Sequence, residues 1–124
     1  MSVTTECFVD FSLACARRLP HVPPEHPCGR VHGHTFDVRV TVAGPVDPHS
    51  GWVMDFAEIE AVWQREVFAA LDHRLLNDVA GLDNPTSEHV AAWLMSRLAP
   101  WLPLLTAIDV RESHRYGVRV TRRA

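Results

Sequence analysis

The stretch that decides the fold is CGRVHGHTFDVRVTVA, residues 28–43. From Phe36 onward, every second residue is apolar and the residues between them are polar, which is typical of a strand with one buried face. His32 and His34 continue the apolar face toward the start of the strand, because residues two apart share a face. The stretch therefore predicts a strand over about 31–43 with two imidazoles on its buried side.

A second strand precedes this one. Residues 5–15 alternate in the same way, and every second residue from Cys7 to Cys15 is apolar. The segment between the two strands, residues 18–30, contains four prolines and is predicted to be a loop. The turn-rich GPVDPHSGW, residues 44–52, leads out of the second strand.

Two helices and two more strands follow. DFAE, residues 55–58, has the form of an acidic capping box and opens a helix of about 16 residues. Its inner stripe includes Ile59, Trp63, Val67 and Ala70. Thr86 or Ser87 caps a second helix, which ends near Pro100. Apolar alternation then predicts two strands around the turn HRYG, with these residues inward: Ile108, Val110, Val118 and Val120.

The element order β-β-α-α-β-β predicts the α+β class and a single domain over residues 1–124. In that class, an antiparallel four-stranded sheet carries both helices on one face. The free edges of such a sheet favour oligomers that join edges, although short charged edges also protect a lone subunit.

Composition limits the function. The chain has 124 residues, 47% hydrophobic and 22% charged, with a formal net charge of −3, so we expect a soluble domain that binds neither nucleic acid nor membrane. The cysteine count of three argues against a disulfide framework and for a reducing, cytoplasmic setting. The start, MSVTTECFVDF, lacks the pattern of a signal peptide, and no apolar run approaches a membrane span.

His32 and His34 are candidate metal ligands. Their Cα atoms lie about 6.6 Å apart on an extended strand, a spacing from which two imidazoles can converge on one ion. Gly33 between them lets a third group approach closely. The alternative interpretation is two half-buried histidines satisfied by backbone carbonyls.

Cys28 is a candidate thiolate base or nucleophile, since it lies in a Pro/Gly loop just ahead of the two histidines. The alternative is an inert, small apolar residue. Asp72 and His73 follow the first helix, where a carboxylate and an imidazole can relay a proton. The alternative for this pair is a histidine at the C-terminal end of a helix, where it interacts favourably with the helix dipole.

Glu112 follows the inward residues Ile108 and Val110 at the same two-residue spacing. This places a carboxylate on the core-facing side of a strand. A buried carboxylate needs a partner. One fitting partner is a ligand with an N–H/NH₂ edge, such as a pterin. The alternatives are an ion pair with one of the arginines of the chain, or a side chain that bends out to solvent.

These residues occur in five motifs that together resemble one family. The motifs are FSLACARRLPHVPPEHPCGRVHGHTF, GWVMDF, LDHRLLND, NPTSEHVAAWL and VRES, in this order. They resemble the 6-pyruvoyl-tetrahydropterin synthase superfamily over nearly the whole chain. The short spacing Cys-x-x-x-His-Gly-His is similar to that of its 6-carboxy-tetrahydropterin synthase (QueD) branch.

The resemblance implies the tunnelling fold (T-fold), in which trimers close a barrel and two trimers stack into a homohexamer with active sites between subunits. It also implies a lyase that converts 7,8-dihydroneopterin triphosphate to 6-carboxy-5,6,7,8-tetrahydropterin, acetaldehyde and triphosphate, in a queuosine or other 7-deazaguanine pathway. The alternatives are a pyruvoyl product, side-chain cleavage to a 6-hydroxymethyl pterin, a non-catalytic pterin- or purine-binding homologue, or a metal-free structural oligomer.

The resemblance also implies residue roles. Cys28 matches the catalytic cysteine, and Asp72 and His73 match the catalytic relay pair. Glu112 matches the carboxylate that anchors the pterin ring. Thr86 and Ser87 match the residues beside that ring, and His32 and His34 match two of three zinc ligands.

The third zinc ligand of the family is a histidine, and here Arg17 occupies its place. The alternation of the first strand puts Arg17 on the inward face with Leu13 and Cys15. Arginine stays protonated in proteins and is not a useful zinc ligand. Three outcomes follow. The metal is kept with a substitute ligand (Cys15, His21 or His26); it is lost, with the Arg17 guanidinium supplying fixed positive charge; or the protein binds pterin without the usual reaction.

Overall fold

Four antiparallel strands form one sheet in the order β1-β2-β3-β4. A computed structural model of the chain, which describes residues 1–122, gives their bounds. The strands are β1 (Glu6–Arg17), β2 (His32–Ala43), β3 (Leu105–Arg111) and β4 (Gly117–Thr121). Because each strand pairs with the next one along the chain, the sheet is an antiparallel meander, and the α+β prediction is confirmed.

The register of β1 against β2 follows from their matching alternation. Leu13 lies opposite Phe36, and both are buried. Cys15 lies opposite His34, and Arg17 opposite His32. The apolar face shared by the two strands therefore ends in a group of polar side chains, as the parity of the sequence predicts.

Helix α1 begins after Asp55, whose Oδ1 accepts a hydrogen bond of 2.9 Å from the N–H of Ala57. It runs as α-helix over Phe56–Trp63, passes through a π-helical turn over Gln64–Phe68 and ends with Ala69–Leu71. The predicted length is correct, but the π turn was not foreseen, because the buried stripe runs through it without a break.

Helix α2 spans Ser87–Leu98. Thr86 is its N-cap, since its Oγ1 accepts a hydrogen bond of 3.2 Å from the N–H of His89. The helix ends two residues before Pro100, as predicted. Its buried side includes Val90 and Leu94.

The hydrophobic core lies between the two helices and the inner face of the sheet. Its largest fully buried side chains include Trp63 of α1 and Phe36 of β2. Trp63 stacks on Phe11 of β1 with ring centroids 4.3 Å apart. This layer packs against β1 and β2. The site residues lie where β1 ends, at Arg17, and where β2 begins, at His32.

The opposite face of the sheet is polar. Asp10 pairs with Arg39 at 2.8 Å, and Asp109 pairs with Arg119 at 2.7 Å. Among the described residues, no helix combines the length and the apolar character that crossing a membrane requires.

Candidate active site

A buried arginine occupies the centre of the site. Arg17 is the last residue of β1 and is only 2% exposed. Its Nη1 donates to the carbonyl of Pro85 at 3.0 Å, and its Nη2 donates to Oε1 of Glu112 at 2.9 Å. Its Nε is buried and has no hydrogen-bond partner among residues 1–122. A buried guanidinium needs a counter-charge, and Glu112 supplies it.

Phe36 forms a platform beneath the polar groups. The Arg17 guanidinium carbon lies 4.8 Å from the centroid of the Phe36 ring, in cation–π geometry. The His34 ring stacks on the same ring at 4.4 Å with an interplanar angle of 10°. One buried aromatic residue thus positions both the guanidinium and an imidazole.

Glu112 joins three elements of the fold. Its Oε1 accepts from Arg17 and lies 3.4 Å from Nε2 of His34, while its Oε2 accepts from the buried Ser87 hydroxyl at 2.7 Å. Burial alone raises the pKa of Glu112. The Ser87 hydrogen bond, the charge and hydrogen bond of Arg17 and the charge of His34 outweigh burial and hold the pKa below its ordinary value. The carboxylate is therefore ionised at neutral pH.

The structure corrects the sequence interpretation of Glu112 in one respect. Strand β3 ends at Arg111, so Glu112 lies just beyond it, and its side chain is 31% exposed rather than fully buried. The alternative of an ion pair with an arginine is what the structure shows. Each carboxylate oxygen offers about two acceptor positions, and Arg17 and Ser87 donate one hydrogen bond to each oxygen. Glu112 therefore keeps acceptor capacity for a ligand.

The two histidines of β2 are oriented by backbone carbonyls. His32 Nδ1 lies 2.7 Å from the carbonyl of Arg30, and His34 Nδ1 lies 2.9 Å from the carbonyl of Thr35. These carbonyl contacts orient both rings through Nδ1, and Nε2 of His34 faces Oε1 of Glu112 instead of the backbone. The alternative interpretation from the sequence, carbonyl satisfaction, is therefore correct for one nitrogen of each ring.

The donor set does not fit a zinc ion. Within the described part of the chain, no group of three or more His, Cys, Asp or Glu side chains could hold a metal ion, whereas an open zinc site needs about three protein ligands. Cys15 is 8% exposed, and burial raises the pKa of its thiol to about 11, so it stays protonated. His26 uses Nδ1 to accept from the N–H of Cys28 at 3.1 Å.

Cys28 lies in the short helical turn Pro27–Gly29. Besides the contact of its N–H with His26, its carbonyl accepts from the N–H of Leu19 at 2.8 Å. The side chain is half-buried and the thiol is free. The loop thus holds an unpaired thiol beside the strand end that carries Arg17.

Asp72 and His73 lie on the outer edge of β1. Asp72 Oδ1 accepts from the N–H of Ala14 at 3.0 Å, and the N–H of His73 donates to the carbonyl of Ala14. Asp72 Oδ2 lies 2.5 Å from Nδ1 of His73. Burial raises the pKa of Asp72, but the His73 hydrogen bond, the Ala14 N–H and the His73 charge together lower it below its ordinary value. The predicted pairing of these two side chains is present.

The backbone of His73 is unusual, and its ring points outward. Its φ is 58°, in the left-handed region that few non-glycine residues adopt. The two hydrogen bonds to Ala14 and a third, from the N–H of Ala16 to the carbonyl of Arg74, secure this conformation. The His73 side chain is 82% exposed, so the pair presents an imidazole at the surface of the chain.

The structure brings four side chains into one network: Arg17, His34, Ser87 and Glu112. Within residues 1–122, no hydrogen bond or ion pair joins Cys28 or the Asp72–His73 pair to it. The Thr86 hydroxyl serves the helix cap instead. Sequence reasoning missed the proximity of His34 to Glu112. The signal for the Arg17–Glu112 pair was present, since parity placed both side chains inward.

The fold and the site define a class of small α+β proteins. In this class, a carboxylate that can accept hydrogen bonds from a ligand, here Glu112, lies at the end of a strand of an antiparallel meander. The sequence pattern of the 6-pyruvoyl tetrahydropterin synthase family matches residues 6–123. The chain belongs to this family, whose members process pterins.

Three relatives illustrate the range of the family. The chain is 40% identical to the 6-carboxy-5,6,7,8-tetrahydropterin synthase of Synechocystis over 86% of this chain and 84% of the relative. It is 38% identical to the dihydroneopterin monophosphate aldolase of Pyrococcus furiosus over 73% of this chain and 77% of the relative. The Caenorhabditis elegans 6-pyruvoyl tetrahydropterin synthase structure superposes with a TM-score of 0.88 at 24% identity, over 98% of this chain and 97% of that one.

Proposed function

We propose that the protein is a lyase that converts 7,8-dihydroneopterin triphosphate and one water molecule to 6-carboxy-5,6,7,8-tetrahydropterin, acetaldehyde and triphosphate. The observation that carries the proposal is Glu112, an ionised carboxylate fixed at two oxygens yet 31% exposed. The identity of 40% to the 6-carboxy-5,6,7,8-tetrahydropterin synthase of Synechocystis supports this choice of reaction.

Glu112 binds the ring in this proposal. The N–H and NH₂ groups along one edge of a pterin form a fork that matches the free acceptor positions of a carboxylate. Ser87 and Arg17 hold the carboxylate in place before the ligand arrives, which reduces the entropy lost on binding. Thr86 positions Ser87 by starting helix α2.

Cys28 and the Asp72–His73 pair move protons at the substrate side chain. Cys28 removes or returns a proton at a side-chain carbon, and His73, oriented by Asp72, carries out the complementary transfer. Because the His73 ring is exposed on the edge of β1, we assign it to a site completed by a neighbouring subunit. A homohexamer built from two trimers provides such sites. The unpaired cysteines agree with a reducing, cytoplasmic setting, and the product enters a 7-deazaguanine pathway of the queuosine type.

A second candidate is cleavage of the pterin side chain by an aldolase reaction. Two observations favour it: the identity of 38% to the Pyrococcus aldolase, and an arginine where the family has a zinc ligand. A dihydropterin ring can itself accept the electron pair released in such a cleavage, so this reaction makes no demand on a third ligand at position 17. Glu112 and Cys28 keep the same roles in it.

The test is incubation of the purified protein with 7,8-dihydroneopterin triphosphate, followed by mass spectrometry of the pterin and an acetaldehyde assay. We expect 6-carboxytetrahydropterin and acetaldehyde in equal amounts, and no product with Cys28→Ala. Cys7→Ala is the matched control, since Cys7 lies far along β1 from Arg17. A 6-hydroxymethyl product would establish the aldolase, a pyruvoyl product would establish the synthase reaction, and absence of turnover would reject all three.

A further inference from the structure

We infer that the resident cation of this site is the Arg17 guanidinium, that His32 and His34 hold no zinc ion in this chain, and that the single change Arg17→His restores a zinc site. This inference concerns the source of positive charge in the pocket. It does not depend on which pterin reaction the protein catalyses.

The guanidinium is fixed in the site. Two of its nitrogens donate to Pro85 and Glu112, its face lies over Phe36, and only 2% of the residue is exposed. These contacts on the edge and the face of the guanidinium oppose its movement out of the site. A divalent ion beside it would be repelled by the guanidinium charge, because water and salt screen buried charges only weakly.

Position 17 faces the imidazoles directly. Arg17 lies opposite His32 in the register of β1 and β2, and directly opposed side chains begin about 4.5–5.5 Å apart at Cβ. His34 is the next residue on the same face of β2, and its Nε2 lies 3.4 Å from the carboxylate that binds Arg17. A histidine at position 17 would therefore place a third imidazole beside two that already have oriented rings.

The two imidazoles keep the features of metal ligands. Each Nδ1 is paired with a backbone carbonyl, which fixes the ring, and Nε2 of His34 points into the site, 3.4 Å from Oε1 of Glu112. Among the described residues, no third His, Cys, Asp or Glu side chain joins them in a group that could hold a metal ion. One imidazole in place of the guanidinium supplies a third donor and removes the competing charge in the same step.

The experiment measures zinc retention without substrate. Untagged full-length protein is incubated with excess zinc, desalted and analysed for metal per subunit. We expect only background zinc in the unaltered chain and one zinc per subunit in Arg17→His, with a zinc-dependent rise in melting temperature in that variant alone. Arg17→Gln, which removes the charge without adding an imidazole, and Arg17→His with His34→Ala should both remain at background.

Stoichiometric zinc in the unaltered protein that His34→Ala abolishes would overturn the inference. So would an Arg17→His variant that keeps the native circular dichroism spectrum but retains no zinc. If Arg17→His does not fold, the metal content of the unaltered protein still decides whether His32 and His34 hold zinc. Zinc retention by Arg17→Gln with added free imidazole then tests whether a third imidazole completes the site. Because no substrate is used, failure here is distinct from failure of the pterin reaction.

Discussion

Arg17, the last residue of β1, donates a hydrogen bond of 2.9 Å to Glu112, the residue that follows β3. The pair is asymmetric, since the Arg17 side chain is 3% exposed and that of Glu112 is 31% exposed. Loss of the carboxylate leaves a buried cation without a counter-charge, whereas loss of the guanidinium leaves a carboxylate that still has Ser87 and solvent. This asymmetry determines how the two residues respond to substitution.

We expect Glu112→Gln to lower the free energy of unfolding by about 2–3 kcal/mol and Arg17→Met by about 1–2 kcal/mol. The double variant should cost less than the sum of the two, because it removes both charges. Urea denaturation at fixed protein concentration measures all three. Additive effects would show that the pair contributes no coupling.

The exposed Asp10–Arg39 pair is the matched control for this cycle. It also joins two strands at 2.8 Å, but the two side chains are 58% and 38% exposed. We expect a coupling of about 1 kcal/mol or less there, because water screens the charges.

Thiol reactivity should separate Cys28 from Cys15. Cys15 is buried, and the pKa of its thiol is raised to about 11, so almost no thiolate forms near pH 8. We expect iodoacetamide to alkylate Cys28 well before Cys15 in the native protein, as followed by peptide mass spectrometry. Denaturation in urea is the control and should make the two rates similar. Faster labelling of Cys15 in the native state would contradict the described packing.

Asp72 should make stability depend on acid pH. Its pKa in the folded chain lies below the ordinary value of 3.8, so the unfolded chain binds the proton more tightly. The stabilisation is complete above pH 3.8 and is lost as the pH falls through the lowered pKa. We expect Asp72→Asn to reduce the free energy of unfolding by about 1–2 kcal/mol at pH 7 and by less at pH 3.

Urea midpoints at the two pH values measure this difference. Asp78→Asn, a change at an exposed residue, is the control and should change the urea midpoint little. An Asp72→Asn effect that grows as the pH falls would reverse the predicted sign.

The period-two alternation of the strands specified most of the fold. It identified the buried faces of β1 and β2 and the inward side of β3, because side chains on an extended strand alternate whatever the tertiary context. The cap at Asp55 and the end of α2 before Pro100 also follow from local chemistry. The π turn Gln64–Phe68 does not, since the sequence carries no signal for it.

The candidate site was only partly predictable. Parity placed Arg17 and Glu112 inward, but their pairing depends on where β3 ends and on the reach of a long side chain. The contact between Ser87 and Glu112 depends on how α2 docks beside β3, a tertiary relationship that local patterns do not encode. The outward direction of His73 depends on a left-handed backbone conformation that the sequence does not reveal.

The central claim is that Glu112 anchors a pterin ring, and calorimetric titration of 7,8-dihydroneopterin into the protein and its Glu112→Gln variant tests it most directly. Loss of charge-assisted hydrogen bonds of about 1.5–3 kcal/mol predicts that binding weakens by about ten- to a hundred-fold in the variant, provided that its melting curve shows a folded protein. Glu58→Gln on α1 is the matched control and should bind like the unaltered chain. Equal affinity of the folded Glu112→Gln variant and the unaltered protein would contradict the claim.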